Sequence, residues 1–160
     1  MEPPSYLAKI NPHDRDERIE FDEGPHIYYI DGSSEGYISC TTWNHSHFEH
    51  FDADKIITKM MGSDKWSQNK YYGKTRNEIK SMWDKNRDEA ASAGTNMHYD
   101  IECYYNECPN KNDSIEYEYF KNFLKDYRDL KPYRTEWTVF HEDVQISGSI
   151  DMVFEKPDGH

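Results

Sequence analysis

The sequence predicts an α/β fold, a mixed sheet flanked by helices, on three observations. Residues 133–140 and 146–154 alternate with a period of two, as half-buried strands do. Apolar residues between 51 and 127 recur at i, i+3 and i+4, which places them on single helix faces. Two earlier short runs, around Ile19 and Phe21 and then His26 to Ile30, flank Asp22-Glu23-Gly24-Pro25, a hairpin pattern.

The elements follow in order. Residues 1–17, rich in Pro, Asp and Arg, carry no periodicity and read as an irregular N-terminal arm with little order. Residues 18–160 then make one domain, because a chain of 160 residues with 35% hydrophobic content builds a single core. After the hairpin, the turn Asp31-Gly32-Ser33-Ser34 leads into a short strand at Gly36-Tyr37-Ile38-Ser39. A short helix is expected over 51–61. Thr75-Arg76-Asn77-Glu78 has capping-box spacing ahead of Ile79, Met82 and Trp83, and the helix it opens is expected to end near Ala93-Gly94. A separate helix then opens at Thr95, whose hydroxyl caps free backbone donors, and puts His98, Ile101, Glu102 and Tyr105 on one face. Another follows Asp113, with Tyr117, Phe120, Leu124 and Tyr127 inward. Past Lys131-Pro132 come the two alternating strands, joined by a turn at Asp143. The chain closes on the turn sequence Lys156-Pro157-Asp158-Gly159, so the sheet is expected to be incomplete at the C-terminus.

Composition narrows the function classes. Aromatics make up 15% of the chain, thirteen of them Tyr, so the core rests on rings with polar edges. A net charge of −12 opposes the long-range basic field with which non-specific nucleic-acid binders gather phosphates. It is compatible with a site that concentrates carboxylates around a divalent cation, because the cation then faces the phosphate. Cys40, Cys103 and Cys108 are odd in number and lack a C-x-x-C pair, so neither a disulfide framework nor a four-thiolate zinc or iron–sulfur site is indicated, and a reducing interior fits. No apolar run reaches membrane-span length and residues 1–11 lack a signal-peptide core. A soluble intracellular protein is expected, its compartment (cytoplasmic, nuclear or viral) left open.

The chemistry-bearing constellation is Gly94-Thr95-Asn96-Met97-His98 in helical context and, some fifty residues on, Gly148-Ser149-Ile150-Asp151 in a strand. Taken alone, His98 reads as a hydrogen-bonded core residue, whereas for Asp151 a charge pair on a solvated sheet face is the less favoured reading. Yet a mid-strand carboxylate on the face opposite Ile150 and Met152 needs a partner or a cation. Glu136, in the preceding strand with Arg134 and Thr138 on its side, reaches the same face if the register allows. Two carboxylates and an imidazole make an oxygen-rich site suited to Mg2+ or Mn2+ rather than zinc. Glu102, one turn after His98, is expected to orient that imidazole, unless it is an ordinary surface ion-pair partner.

The order Ser39-Cys40-Thr41-Thr42, then G-T-x-x-H-x-x-I-E at 94–102, Arg134-Thr135-Glu136-Trp137, and Gly148-Ser149-Ile150-Asp151 resembles the PD-(D/E)XK nucleases. The similarity lies with the RecB-like branch, in the group of mitochondrial genome maintenance exonucleases and their viral relatives, and covers roughly residues 36–155. It implies a restriction-endonuclease-like fold and metal-dependent hydrolysis of DNA phosphodiesters, with single-stranded or free ends as the substrate. It further implies His98 and Asp151 as metal ligands, with Glu136 as the third catalytic residue and Glu102 and Thr95 in support. The family's (D/E)-x-K pair, on the next strand, has no counterpart after Asp151, so this chain is expected to stop short of it and to cut little by itself.

The basic-aromatic stretch Lys65, Lys70, Lys74 and Arg76, interleaved with Trp66, Tyr71 and Tyr72, is the candidate track for a single strand, or else a solvated helix face. Trp43 either stacks on a base or packs, with packing favoured. Two rival readings stand beside the nuclease. One is a non-catalytic nucleic-acid- or protein-binding module on the same fold, and the other is a metal binder built on His45, His47 and His50.

Overall fold

A computed structural model describes residues 4–108 and 110–159. They form a mixed α/β structure whose sheets are a two-stranded and a three-stranded one. The chain divides into two compact units, one made of residues up to His47 together with Asn96 onward, the other of Phe48–Thr95.

The first unit holds both sheets. Strands β1 (Ile19–Asp22) and β2 (Ile27–Ile30) pair antiparallel as the hairpin expected from the turn sequence. Strand β3 is short, Ile38–Ser39, and runs parallel to β5 (Ile146–Glu155), which pairs antiparallel with β4 (Lys131–His141). Because side chains alternate across a strand, the β4–β5 ribbon presents Met152 and Phe154 to a cluster formed by Leu7, Tyr105, Tyr117 and Phe120. At its other end Phe140 joins Ile19, Tyr28 and Ile30 of the hairpin. These two ring-rich clusters form the unit's core.

The N-terminal segment departs from the irregular arm expected. It folds into α1 (Tyr6–Ile10) and a 3-10 turn over Asp16–Arg18, with Leu7 only 2% exposed. Long-range polar bonds supply the order that composition did not foreshadow. The Leu7 amide donates to Asn106 Oδ1 at 2.9 Å, Asn11 Nδ2 to the Tyr133 carbonyl at 2.8 Å, and Arg15 Nη1 to the Phe140 carbonyl at 3.0 Å.

Helix α2 (Cys40–His45) is opened by Ser39, whose hydroxyl accepts from the Thr42 amide. In the second unit, α3 (Ala53–Met61) is opened by Asp52 in the same way, and Ile57 on its inner face packs against Tyr71 and Ile79. The capping box at Thr75 forms as its spacing predicts. Glu78 accepts from the Thr75 amide at 2.7 Å and Thr75 Oγ1 from the Glu78 amide at 3.3 Å.

The helix so opened, α4, runs without interruption over Arg76–Tyr105. The expected break at Ala93-Gly94 is absent, and Thr95 lies inside the helix, where its hydroxyl has no cap to make. Gly94 does not adopt a positive φ, and an interior glycine costs only about 1 kcal/mol, which neighbours such as Ala90, Ala91 and Ala93 offset. The true stop is Glu107, left-handed at φ 59°. Helix α5 (Ile115–Asp126), capped by Ser114, turns Tyr117 and Phe120 inward as expected. Tyr127 falls past the helix end and is 57% exposed, so Phe123 takes the inward position instead.

No helix among the described residues is long and apolar enough to cross a membrane.

Candidate metal centre

Three elements of the first unit converge on one point. His98 comes from α4, Glu136 from β4 and Asp151 from β5, and one ligand atom of each lies within 4.8 Å of the others. The β4–β5 register decides this. Thr135 pairs with Met152 and Trp137 with Ile150, so Glu136 and Asp151 fall opposite each other between those pairs. Ser149, two residues before Asp151 on the same face, offers its hydroxyl to Glu136 at a marginal 3.5 Å.

Glu136 holds a left-handed φ of 43° in mid-strand, a conformation that costs a non-glycine residue roughly 1–2 kcal/mol. The kink breaks the alternation on which the expectation for Arg134 rested. Arg134 does not share Glu136's surroundings. Arg134 Nη1 donates to Asp16 at 2.7 Å and Trp137 Nε1 to the same carboxylate at 3.0 Å, although their odd spacing puts them on opposite faces of a regular strand. Strain at a residue that carries a candidate ligand is the kind of outlier that marks functional positions.

The electrostatics suit a cation. Partial burial raises Glu136 above the ordinary carboxylate range, the charge of Asp151 raises it further, and His98 and Ser149 act in the opposite direction. Burial first, and then the charge of Glu136, push Glu102 up to about 7. Glu102 makes no hydrogen bond to His98 among the described residues, so it does not orient that imidazole as expected. It stands instead as a further carboxyl crowded against Glu136. Tyr28 of the hairpin is raised by burial and then by the same Glu136 charge. Only the folded hairpin places Tyr28 there, and no local signal in the sequence points to it.

The donor set fits a hard divalent ion. Ligand oxygens about 2.1 Å from Mg2+ lie roughly 3 Å apart when adjacent and about 4.2 Å when opposite. At most one of the three pairs can be opposite, so a spread within 4.8 Å closes on an ion once the side chains move together by about an ångström. All three groups are exposed, which leaves room for water and for a phosphate. Carboxylates favour magnesium or manganese, and the imidazole tilts the set toward manganese.

The other candidates separate. No group containing His45, His47 and His50 meets the same ligand-distance condition among the described residues. Tyr71 is a core residue, 8% exposed, and its hydroxyl accepts from Trp83 Nε1 at 2.8 Å, so it offers no free ring face. Arg76 is engaged by Thr58 Oγ1 and the Asp54 carbonyl at 2.9 and 3.0 Å. Lys70 and Lys74 are exposed, Lys70 over the Tyr71 ring at 4.8 Å. Trp43, favoured as a packed residue, is 46% exposed and meets His47 edge-on. Thr95 is exposed as well.

No protein-family model, no curated protein and no solved structure matches this chain.

Proposed function

We propose that His98, Glu136 and Asp151 bind one divalent cation, Mg2+ or Mn2+, and that this centre belongs to a nuclease acting on DNA ends. The convergence of the three ligand atoms from one helix and two adjacent strands, within 4.8 Å, carries the reading. Motif order in the sequence supports the nuclease assignment, with PD-(D/E)XK enzymes as the pattern it resembles. A cation bound there supplies Lewis acidity and a water of lowered pKa. The chain's own part is to hold the ligands. Asp151 and Glu136 are fixed by strand pairing, Ser149 steadies Glu136, and His98 is fixed by α4. Glu102, near neutrality, takes up or releases a proton as the charge beside it changes. Metal binding is the first readout of this centre. Lys70, Lys74 and Trp43, all exposed, are the residues proposed to meet the nucleic acid.

Isothermal titration with MnCl2 tests the centre. Asp151→Asn is expected to weaken binding at least tenfold with the far-UV spectrum unchanged. Affinity equal to the unaltered chain would remove the assignment. Digestion of 5′- and 3′-labelled single-stranded DNA, with and without Mn2+, then tests the nuclease reading separately.

A further inference from the structure

The end of α4 brings together two cysteines whose odd-numbered set gave no pairing in the sequence. The Cys108 amide donates to the Cys103 carbonyl at 2.9 Å and the Glu107 amide to the Tyr104 carbonyl at 3.4 Å, with Glu107 left-handed between them. This is a Schellman motif, and Cys103 and Cys108 occupy its C3 and C″ positions, whose side chains are frequently in contact in such motifs.

The backbone bond bounds their separation. An α-carbon lies about 2.4 Å from its own carbonyl oxygen and about 1.5 Å from its own nitrogen. Added end to end with the 2.9 Å hydrogen bond, these lengths reach about 6.8 Å at most, and any bend shortens the span. Disulfides join α-carbons about 4.4–6.8 Å apart. The thiols also sense each other electrostatically. Burial raises the Cys103 thiol most, the Tyr99 hydroxyl bonded to its sulfur acts the other way, and Cys108 raises it again. Cys103 is buried, Cys108 half-buried, and both are free.

We propose that Cys103 and Cys108 form a reversible disulfide, a modification site at the C-terminal end of α4, with hydrogen peroxide or an organic hydroperoxide as the oxidant. The more accessible Cys108 attacks a peroxide oxygen as its thiolate, the O–O bond breaks, and a sulfenic acid forms with release of water or an alcohol. The Cys103 sulfur then attacks the Cys108 sulfur, the S–S bond forms, and hydroxide leaves and takes up the Cys103 proton as a second water. Two thiols lose two electrons in all and one peroxide gains them. The bond closes around Asn106, whose side chain receives the Leu7 amide and donates to Thr135 Oγ1 at 2.8 Å. It thereby braces the turn that ties α4 to α1 and β4.

Trypsin reports the bond directly, because cleavage after Arg87 and Lys111 leaves both cysteines in one peptide with Cys40 outside it. The full chain is treated with hydrogen peroxide, free thiols are blocked with iodoacetamide, and the peptide 88–111 is weighed. The expected product is unalkylated and about 2 Da lighter than the dithiol, and it returns to the doubly alkylated mass after dithiothreitol. Cys40→Ser is expected to behave identically and Cys108→Ser to abolish the change. A doubly alkylated peptide after oxidation, a Cys108 sulfinic acid beside an alkylated Cys103, or chains joined through Cys40 overturns the proposal. The measurement on the unaltered chain needs no variant to fold.

Discussion

Strand β4 carries two charged centres two residues apart, and they are built on opposite principles. At Arg134 the guanidinium is enclosed, its side chain 7% exposed, and the Asp16 carboxylate meets it at 2.7 Å. Asp16 also accepts from Trp137 Nε1 and from the His13 amide at 2.9 Å. At Glu136 the carboxylate stands against Asp151 and near Glu102, like charges with only His98 in compensation. The first centre is neutralised by a protein carboxylate and serves stability. The second is left with excess negative charge on a strained residue, the imbalance that the proposed cation would offset.

The largest expected effect breaks the first centre. Asp16→Ala strands a buried guanidinium, whose Nε already lacks a partner, and should cost about 3 kcal/mol, read as a lower denaturation midpoint in urea. Burial alone pushes Asp16 up, but bonds from Arg134, His13 and Trp137 hold it below the usual carboxylate range. Its contribution is therefore present above the unfolded value of 3.8 and is lost as pH falls through the folded value. The difference between the two chains should shrink in acid, and a difference independent of pH would argue against the ion pair.

Glu102 should show the opposite pH behaviour. Its folded pKa, about 7, lies above the ordinary glutamate value of 4.5, so the folded state holds the proton more tightly and stability falls as pH rises from about 4.5 to 7. Glu102→Gln removes that loss. It is expected to raise stability at pH 8 by on the order of 1 kcal/mol after allowance for solvent screening, read as a higher thermal midpoint, and to leave the midpoint unchanged at pH 4. A lower midpoint at pH 8 would show that the ionised form is favoured, against the crowding with Glu136. Saturating Mn2+ should narrow the gap, because the cation supplies the missing countercharge.

The smallest effect addresses the helix that carries His98. Gly94 sits in the interior of α4 with nothing within 4 Å of the position a Cβ takes, so Gly94→Ala should stabilise by roughly 0.5–1 kcal/mol. A left-handed stop at that residue, as the residues around it suggest, predicts destabilisation instead. The sign of the change in a thermal melt distinguishes the two.

Most of the elements were legible because their signals are local. The hairpin turn, the Thr75 capping box and the two alternating strands all appear where short-range pattern puts them. The errors are local signals that longer-range packing overrode. Gly94 reads as a stop until α4 is seen to continue, and residues 4–18 lack periodicity because they are ordered by single bonds to Asn106, Tyr133 and Arg134 rather than by an apolar stripe. Within the basic-aromatic stretch, burial of Tyr71 and the bonds of Arg76 are likewise decided by α3 and α4, while Lys70 and Lys74 stay exposed.

Residue identity and local period give the side chains chemically suited to a cation: His98 on a helix and Glu136 and Asp151 on alternating strands, each placed by a period its neighbours set. Tertiary structure alone decided that they meet. Register places Glu136 opposite Asp151, the continuity of α4 brings His98 to them, and the crowding that lifts Glu102 arises only once all three elements are packed. A one-residue slip in pairing turns a whole strand face over, so residue identity carries the ligand chemistry and strand pairing carries the site.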